Sequence, residues 1–296
     1  MTTELTRIPE KNLLFVDIET VSSKKDINSD SPEFDMFSWK NRNKDTDELP
    51  DSETVSKIYR ERAALNPIYG KIVCITVGFI HSDVIYIQTF HGEEKTIIQD
   101  FVDLCHKNTD KTLCIWNASF DLPYIRKRAM ICGLDNYLSN KIGNDAMKKP
   151  WTLDGVLDLM DVWKGIGFYN DSMEEVAYSL GLSSPKEDLR GSEVSFTYYN
   201  EGVERIIKYC EQDVICLSNI YRKLTYQSPV EEVIVKTKEV EKPLPLLKRI
   251  FSLQRATKEE IEELKDLIES SDLDKKVVNE IITTVFRNNV PEQLKF

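Results

Sequence analysis

Histidine is scarce in this sequence: a chain of 296 residues has three, His81, His91 and His106. A histidine-rich metal centre, or a nucleophilic triad that turns on imidazole, is hard to assemble from so few. The six cysteines are scattered, mostly inside apolar segments, and none forms a CxxC pair. That argues against a zinc ribbon or a disulfide framework and for reduced thiols in a core. No apolar run approaches the roughly 20 residues that cross a bilayer, so no membrane association is expected. The opening MTTELTRIPEK lacks the apolar stretch of a secretory leader, which makes a cytoplasmic location the default expectation. Neither a GxGxxG nor a Walker pattern occurs, so no nucleotide cofactor is expected.

Positive charge is in deficit as well. Lys and Arg number 39 against 50 Asp and Glu, a formal net charge of −11. A protein that grips nucleic acid by charge alone would need the opposite sign. The deficit is tolerable where divalent cations stand between acidic side chains and phosphate, because the ions reverse the local sign. Composition therefore leans toward a metal-assisted enzyme over a passive nucleic-acid binder.

What is present is a mixed pattern of strands and helices. LLFVDI, Leu13 to Ile18, predicts a buried strand that closes on Glu19. Ser22 to about Pro50 is polar and reads as an inserted loop within an excursion over 22–68, with Phe34, Phe37 and Trp39 suggesting that part of it docks. A short helical pattern follows, then two strands flanking Ser82-Asp83 as a hairpin. Glu93 to His106 has helical spacing, TLCIW is a further strand, and NASFDLPYIRKRAMICG reads as a helix ended by Gly133. Ser172-x-x-Glu175 is a capping box, and Glu201 to Leu224 is a longer amphipathic helix. This order predicts an α/β domain over 1–227, a mixed sheet with helices packed on it. Residues 228–296 read as a linker or extended arm and a helical hairpin, with Thr257-x-x-Glu260 as a cap.

Three carboxylate positions stand out. Asp17 and Glu19 lie two apart at the end of a buried strand, so both fall on one face of the sheet. Acids in an apolar run are costly unless paired or metal-bound; a helix cap or a solvent-facing edge is the plainer reading of this pair alone. Asp121 follows the strand TLCIW, four residues after Asn117, where an acid favoured by the helix dipole is the plainer reading. Tyr209 and Asp213 are four apart on the long helix and face the same way. Taken as an ordered set, the carboxylates can converge beside one edge of the sheet. Hard oxygen ligands without imidazole or thiolate suit Mg²⁺ or Mn²⁺ rather than zinc. Two such ions, roughly 3.5–4 Å apart, clamp a phosphodiester in line for displacement.

FVDIET, NASFDLPYI and YCEQD, in this order, resemble the three motifs of the DEDD 3′–5′ exonucleases of the ribonuclease H-like fold, in the subgroup with tyrosine. More narrowly, NPIYGKIVCITVGF, LDLMDVW, EEVAYSLGL and YCEQDVICLSNIY are similar to segments of the predicted exonucleases related to the proofreading domain of B-family DNA polymerases. The resemblance covers about Leu13 to Leu224. It implies two Mg²⁺ or Mn²⁺ ions, with Asp17 bridging both. Glu19 and Asp213 would complete the ion that holds the attacking water, Asp121 would hold the other, and Tyr209 would orient the water. The expected reaction is release of nucleoside 5′-monophosphates from the 3′ end of a single strand, DNA before RNA.

Other residues have weaker claims. Asp158 is expected either to support a ligand from behind or to fill a structural hydrogen-bond role. Asn117 is read as fixing the turn before Asp121, with substrate contact as its other role. Lys186 and Arg190 read first as a solvated charged loop and otherwise as contacts to the substrate backbone. Phe168, Tyr169, Tyr198 and Tyr199 read as core by default and as base-stacking rings otherwise. Ile261, Leu264, Ile268, Val278, Ile281 and Ile282 could dock the C-terminal helices onto a polymerase or other replication protein, or equally fold them back on their own domain. An exoribonuclease and a non-catalytic nucleic-acid-binding module of the same fold are the rival expectations.

Overall fold

The computed structural model describes residues 8–134, 155–183 and 189–236. The chain divides into two units, Met1–Thr237 and Lys238–Phe296, and every described residue belongs to the first. The helical hairpin expected near the C-terminus and Lys186 lie outside the described residues.

Strands β1 (Leu13–Ser22), β2 (Gly70–His81), β3 (Val84–His91), β4 (Thr112–Ile115), β5 (Val156–Asp158) and β6 (Glu232–Lys236) build one sheet. Their order is β5-β4-β1-β2-β3-β6. The first three form an antiparallel meander, while β4 and β5 run parallel to β1 on its other side. Ser82 and Asp83, with φ of 51° and 64°, close the hairpin in the left-handed pair of conformations that matches strand twist. This is the mixed sheet flanked by helices expected of a ribonuclease H-like α/β domain.

Eight α-helices are described: α1 (Pro32–Lys40), α2 (Ser52–Arg62), α3 (Glu94–Lys107), α4 (Ala118–Ile131), α5 (Leu159–Lys164), α6 (Met173–Ser179), α7 (Val194–Asn200) and α8 (Glu204–Leu224). Strand periodicity sorts them onto two faces. Leu14, Val16 and Ile18 of β1 pack with Ile98 and Phe101 of α3 and with Leu122 and Ile125 of α4. Leu13 and Phe15 pack instead with Val214, Leu217 and Ile220 of α8, and Val21 packs with Ile206 and Cys210 of the same helix. Each fully buried side chain of this size stabilises the fold by about 1.5–3 kcal/mol. Helix α8 comes unusually near the sheet at Gly78, where a Cβ would lie 2.7 Å from Cγ1 of Val214. Among the described residues no helix is long and apolar enough to cross a membrane.

Two segments differ from the sequence reading. The stretch after β1, expected as an irregular loop, contains α1, started by a Ser31 cap and Pro32 in the first turn. Phe37 of α1 meets Tyr59 and Tyr69 edge-on, with ring centroids 5.2 and 4.9 Å apart. With Ile27, Val55 and Ala63 these residues make a small core of their own. Phe37 is therefore the anchor, whereas Trp39 is exposed. The second difference is β6: residues within the expected linker or arm pair in parallel with β3 and extend the sheet.

Candidate active site

Counting along β1, the row facing α8 reads Leu13, Phe15, Asp17, Glu19, Val21. Two acids thus interrupt an otherwise apolar row. Opposite them, α8 turns a stripe of Ile206, Cys210, Val214 and Leu217 to the sheet. The four-residue spacing within that stripe carries Tyr209 and Asp213 to the same side. Ligand oxygens of Asp17, Glu19 and Asp213 lie within 4.8 Å of one another. The β1–β2 register shifts directly afterwards, between Glu19 and Thr20, where β2 carries the extra residue Val73.

Asp121 sits in the first turn of α4 and is 4% exposed. It stands outside the cluster of three yet acts on both Asp17 and Glu19 through its charge. Hydrogen bonding from the Ile18 backbone partly offsets the burial of Asp121 and of Asp17. The structure therefore brings four of the sequence-derived acids into one electrostatic group, three of them close enough to share a cation.

The electrostatics of the group are lopsided. Burial, then the Asp121 charge, pushes the Asp17 carboxyl up to about 8. Burial and the neighbouring carboxylates likewise raise Glu19, and burial raises Asp121. Tyr209 is raised by burial first and then by Asp213, Glu19 and Asp17. Its phenol stays protonated and donates a hydrogen bond to the Asp213 carboxylate. Carboxylates crowded this way need a positive charge between them. The donor set, all hard oxygen, fits Mg²⁺ or Mn²⁺.

Two supporting residues show what the sequence concealed. Cys210, expected as a core thiol, is fully buried and also donates from Sγ to Oδ2 of Asp17 at 3.2 Å. Its position next to Tyr209 and three before Asp213 was the available signal. Asp158 ends β5 and accepts from the backbone N–H groups of Asn117 (3.1 Å) and Ala118 (2.7 Å). It also accepts from Met160 (3.1 Å) and Asp161 (3.4 Å). One carboxylate therefore caps the start of α4, which carries Asp121, and the start of α5. Replacing Asp158 with Ala strands these donors, and we expect a loss of about 2–4 kcal/mol in urea unfolding, the sum of a lost cap and charged hydrogen bonds. An unchanged unfolding midpoint would contradict this role.

The remaining expectations divide. Asn117 adopts φ 67°, a left-handed conformation that asparagine tolerates, and its Oδ1 accepts from Ser119 Oγ at 2.5 Å. That geometry belongs to the turn role. Arg190 is exposed, and its backbone N–H donates to Glu193 Oε2 at 3.0 Å. Phe168 and Tyr169 are 95% and 86% exposed, which overturns their default reading as core. Tyr198 and Tyr199 pack edge-on, with Lys71 Nζ 4.7 Å above the Tyr198 ring.

Asp17, Glu19 and Asp213 thus form an acidic, oxygen-only cluster on β1 and α8, with the β1 acids inside the strand rather than at its end, since β1 continues to Ser22. The chain belongs to the family described as predicted 3′–5′ exonuclease related to the exonuclease domain of PolB, which matches residues 65–267. The match includes Asp121, Asp158, Tyr209 and Asp213 and begins after Asp17 and Glu19. Among solved structures the chain is similar to the family B DNA polymerase from the hyperthermophilic archaeon Pyrobaculum calidifontis, at 18% identity and a TM-score of 0.48. That similarity covers 86% of this chain and 28% of the polymerase chain. No curated protein matches.

Proposed function

We propose that this protein is a metal-dependent exonuclease that shortens single-stranded nucleic acid from the 3′ end, with DNA as the favoured substrate. The observation that carries the proposal is the convergence of Asp17, Glu19 and Asp213 within 4.8 Å of one another. Asp17, Glu19 and Asp213 would hold one divalent cation, and Asp17 with Asp121 the second. Such ions, when bound, polarise the phosphoryl group and make water a competent nucleophile at neutral pH. Tyr209 contributes as a neutral donor that fixes the Asp213 carboxylate. With its proton held so firmly, it orients rather than abstracts. Asp158 and Cys210 keep Asp121 and Asp17 in place. Preference for DNA rests on family relationship, since fold alone does not choose the sugar.

The direct test uses the purified protein on single-stranded DNA and RNA of the same sequence, each labelled at the 5′ end. Reactions are run with Mg²⁺, with Mn²⁺ and with EDTA. A ladder that shortens from the 3′ end, stronger on DNA and abolished by EDTA, is the expected result. A ladder on RNA alone would replace the reading with an exoribonuclease. Intact but bound strands of both kinds would retire the enzyme in favour of a binding module.

A further inference from the structure

Beyond the C-terminal end of β1 lies a cleft of about 560 Å³ between α7 on one side and the loop after β1 with the end of α2 on the other. Its walls are lined by Lys25 and Arg60, by the carboxylates Asp26 and Glu61, and by Ser195, Phe196, Tyr199 and Asn200. The cleft is tied to the strand that carries the acids. The Ser22 N–H donates to Ser195 Oγ at 3.1 Å, and the Tyr199 hydroxyl donates to the Ser22 carbonyl at 2.7 Å. Ser22 lies three positions beyond Glu19, a distance of about 10 Å along a strand. The pocket and the acids are therefore held on one rigid element at a fixed spacing.

The side chains of the cleft have an unusual balance. Phe196 is 68% exposed, although Val194 and Thr197 on the same short helix are buried. Lys25 is an exposed cation whose Nζ donates to the neutral Asn200 Oδ1 at 2.9 Å. Arg60 is instead paired with Asp26 at 3.0 Å. With a net charge of −11 the molecule cannot hold a polyanion by long-range attraction. A ring with an open face beside a single available ammonium offers the alternative, stacking with one phosphate contact.

We propose that this cleft receives the strand behind its terminal nucleotide, with Phe196 stacking on a base and Lys25 meeting the adjoining phosphate. The proposal rests on the exonuclease reading and adds to it a second subsite, built by the insertion. Everything behind the terminal nucleotide must leave the acids along the surface. The cleft opens at the end of the same strand.

The test is binding rather than turnover. Fluorescence anisotropy is measured in Mg²⁺ with 5′-fluorescein-labelled dT12 and dT2, each closed by a non-hydrolysable 3′-terminal linkage. Wild-type protein is expected to bind dT12 more tightly than dT2. In Phe196→Ala the dT12 affinity should fall about tenfold, within the range for loss of one stacking platform, and Phe196→Trp should restore it. Lys25→Met should lower the slope of log affinity against log salt by about 0.7, the value of one single-strand phosphate contact. If wild-type and Phe196→Ala proteins show the same ratio of dT12 to dT2 affinity while strands are still shortened, the subsite is wrong and the exonuclease stands. If wild-type protein neither binds nor shortens any strand, both readings fall.

Discussion

Asp17→Asn is expected to lower turnover by about 10³-fold or more, the equivalent of several kcal/mol of transition-state stabilisation supplied through bound cations. Asp121→Asn should lose a comparable amount of activity, but for a different reason that direct counting of Mn²⁺ separates. Asp17 belongs to the group of three whose oxygens lie within 4.8 Å of one another, and Asp121 stands outside it. Asp121→Asn should therefore keep one tight Mn²⁺ and lose the second in isothermal titration. Asp17→Asn, which breaks the group of three and the proposed bridge, should weaken both. Two tight ions in Asp17→Asn would show that the cluster is not the metal site. Full activity in either variant would remove the residue from the reaction.

In the metal-free protein, the melting temperature is expected to fall between pH 5 and pH 8. The folded-state carboxyl of Asp17 is raised from the usual 3.8 to about 8, by burial first and the Asp121 charge second. Within that window the folded chain still holds a proton that the unfolded chain has released. The unfolding free energy therefore declines as pH climbs. The contribution is fully present below the ordinary carboxylate range and is lost as pH passes the folded value. Glu19 and Asp121, raised by burial as well, act in the same direction. A shift of several degrees is reasonable, since 1 kcal/mol moves a domain of this size by about 2–4 °C. Mn²⁺ binds the deprotonated form, so its stabilisation should grow over the same pH window. Asp17→Asn should flatten the decline and, at pH 8 without metal, melt above the wild type. A metal-free wild type that gains stability toward pH 8 would contradict the crowded cluster.

The acids were legible because simple periods placed them. Spacing of two at the end of LLFVDI put Asp17 and Glu19 on one face, and spacing of four put Tyr209 and Asp213 on one side of a helix. Helix α1 was not legible because it is short and its apolar residues, Phe34, Met36, Phe37 and Trp39, do not share one helical face; of these Phe37 alone is buried. Strand β6 was hidden for another reason: all five residues are exposed, so burial imposes no alternation on them. Asp158 could be named but its role could not be chosen, since the donors it satisfies come from two helices separated by about 40 residues of chain. Cys210 looked like core and is core. That its thiol also reaches Asp17 is a property of the fold, not of the local sequence.

The alternation of β1 has a further consequence, for errors of assembly. Leu14, Val16 and Ile18 face one layer of helices, while Asp17 and Glu19 share the other face with Leu13 and Phe15. A slip of one residue in pairing would exchange the two rows entirely. Both carboxylates would then be pressed into the apolar layer beneath α3 and α4, where no cation could reach them. The hydrophobic energy of that layer thus guards the chemistry on the opposite side. A chain with the wrong register therefore does not persist as a fold.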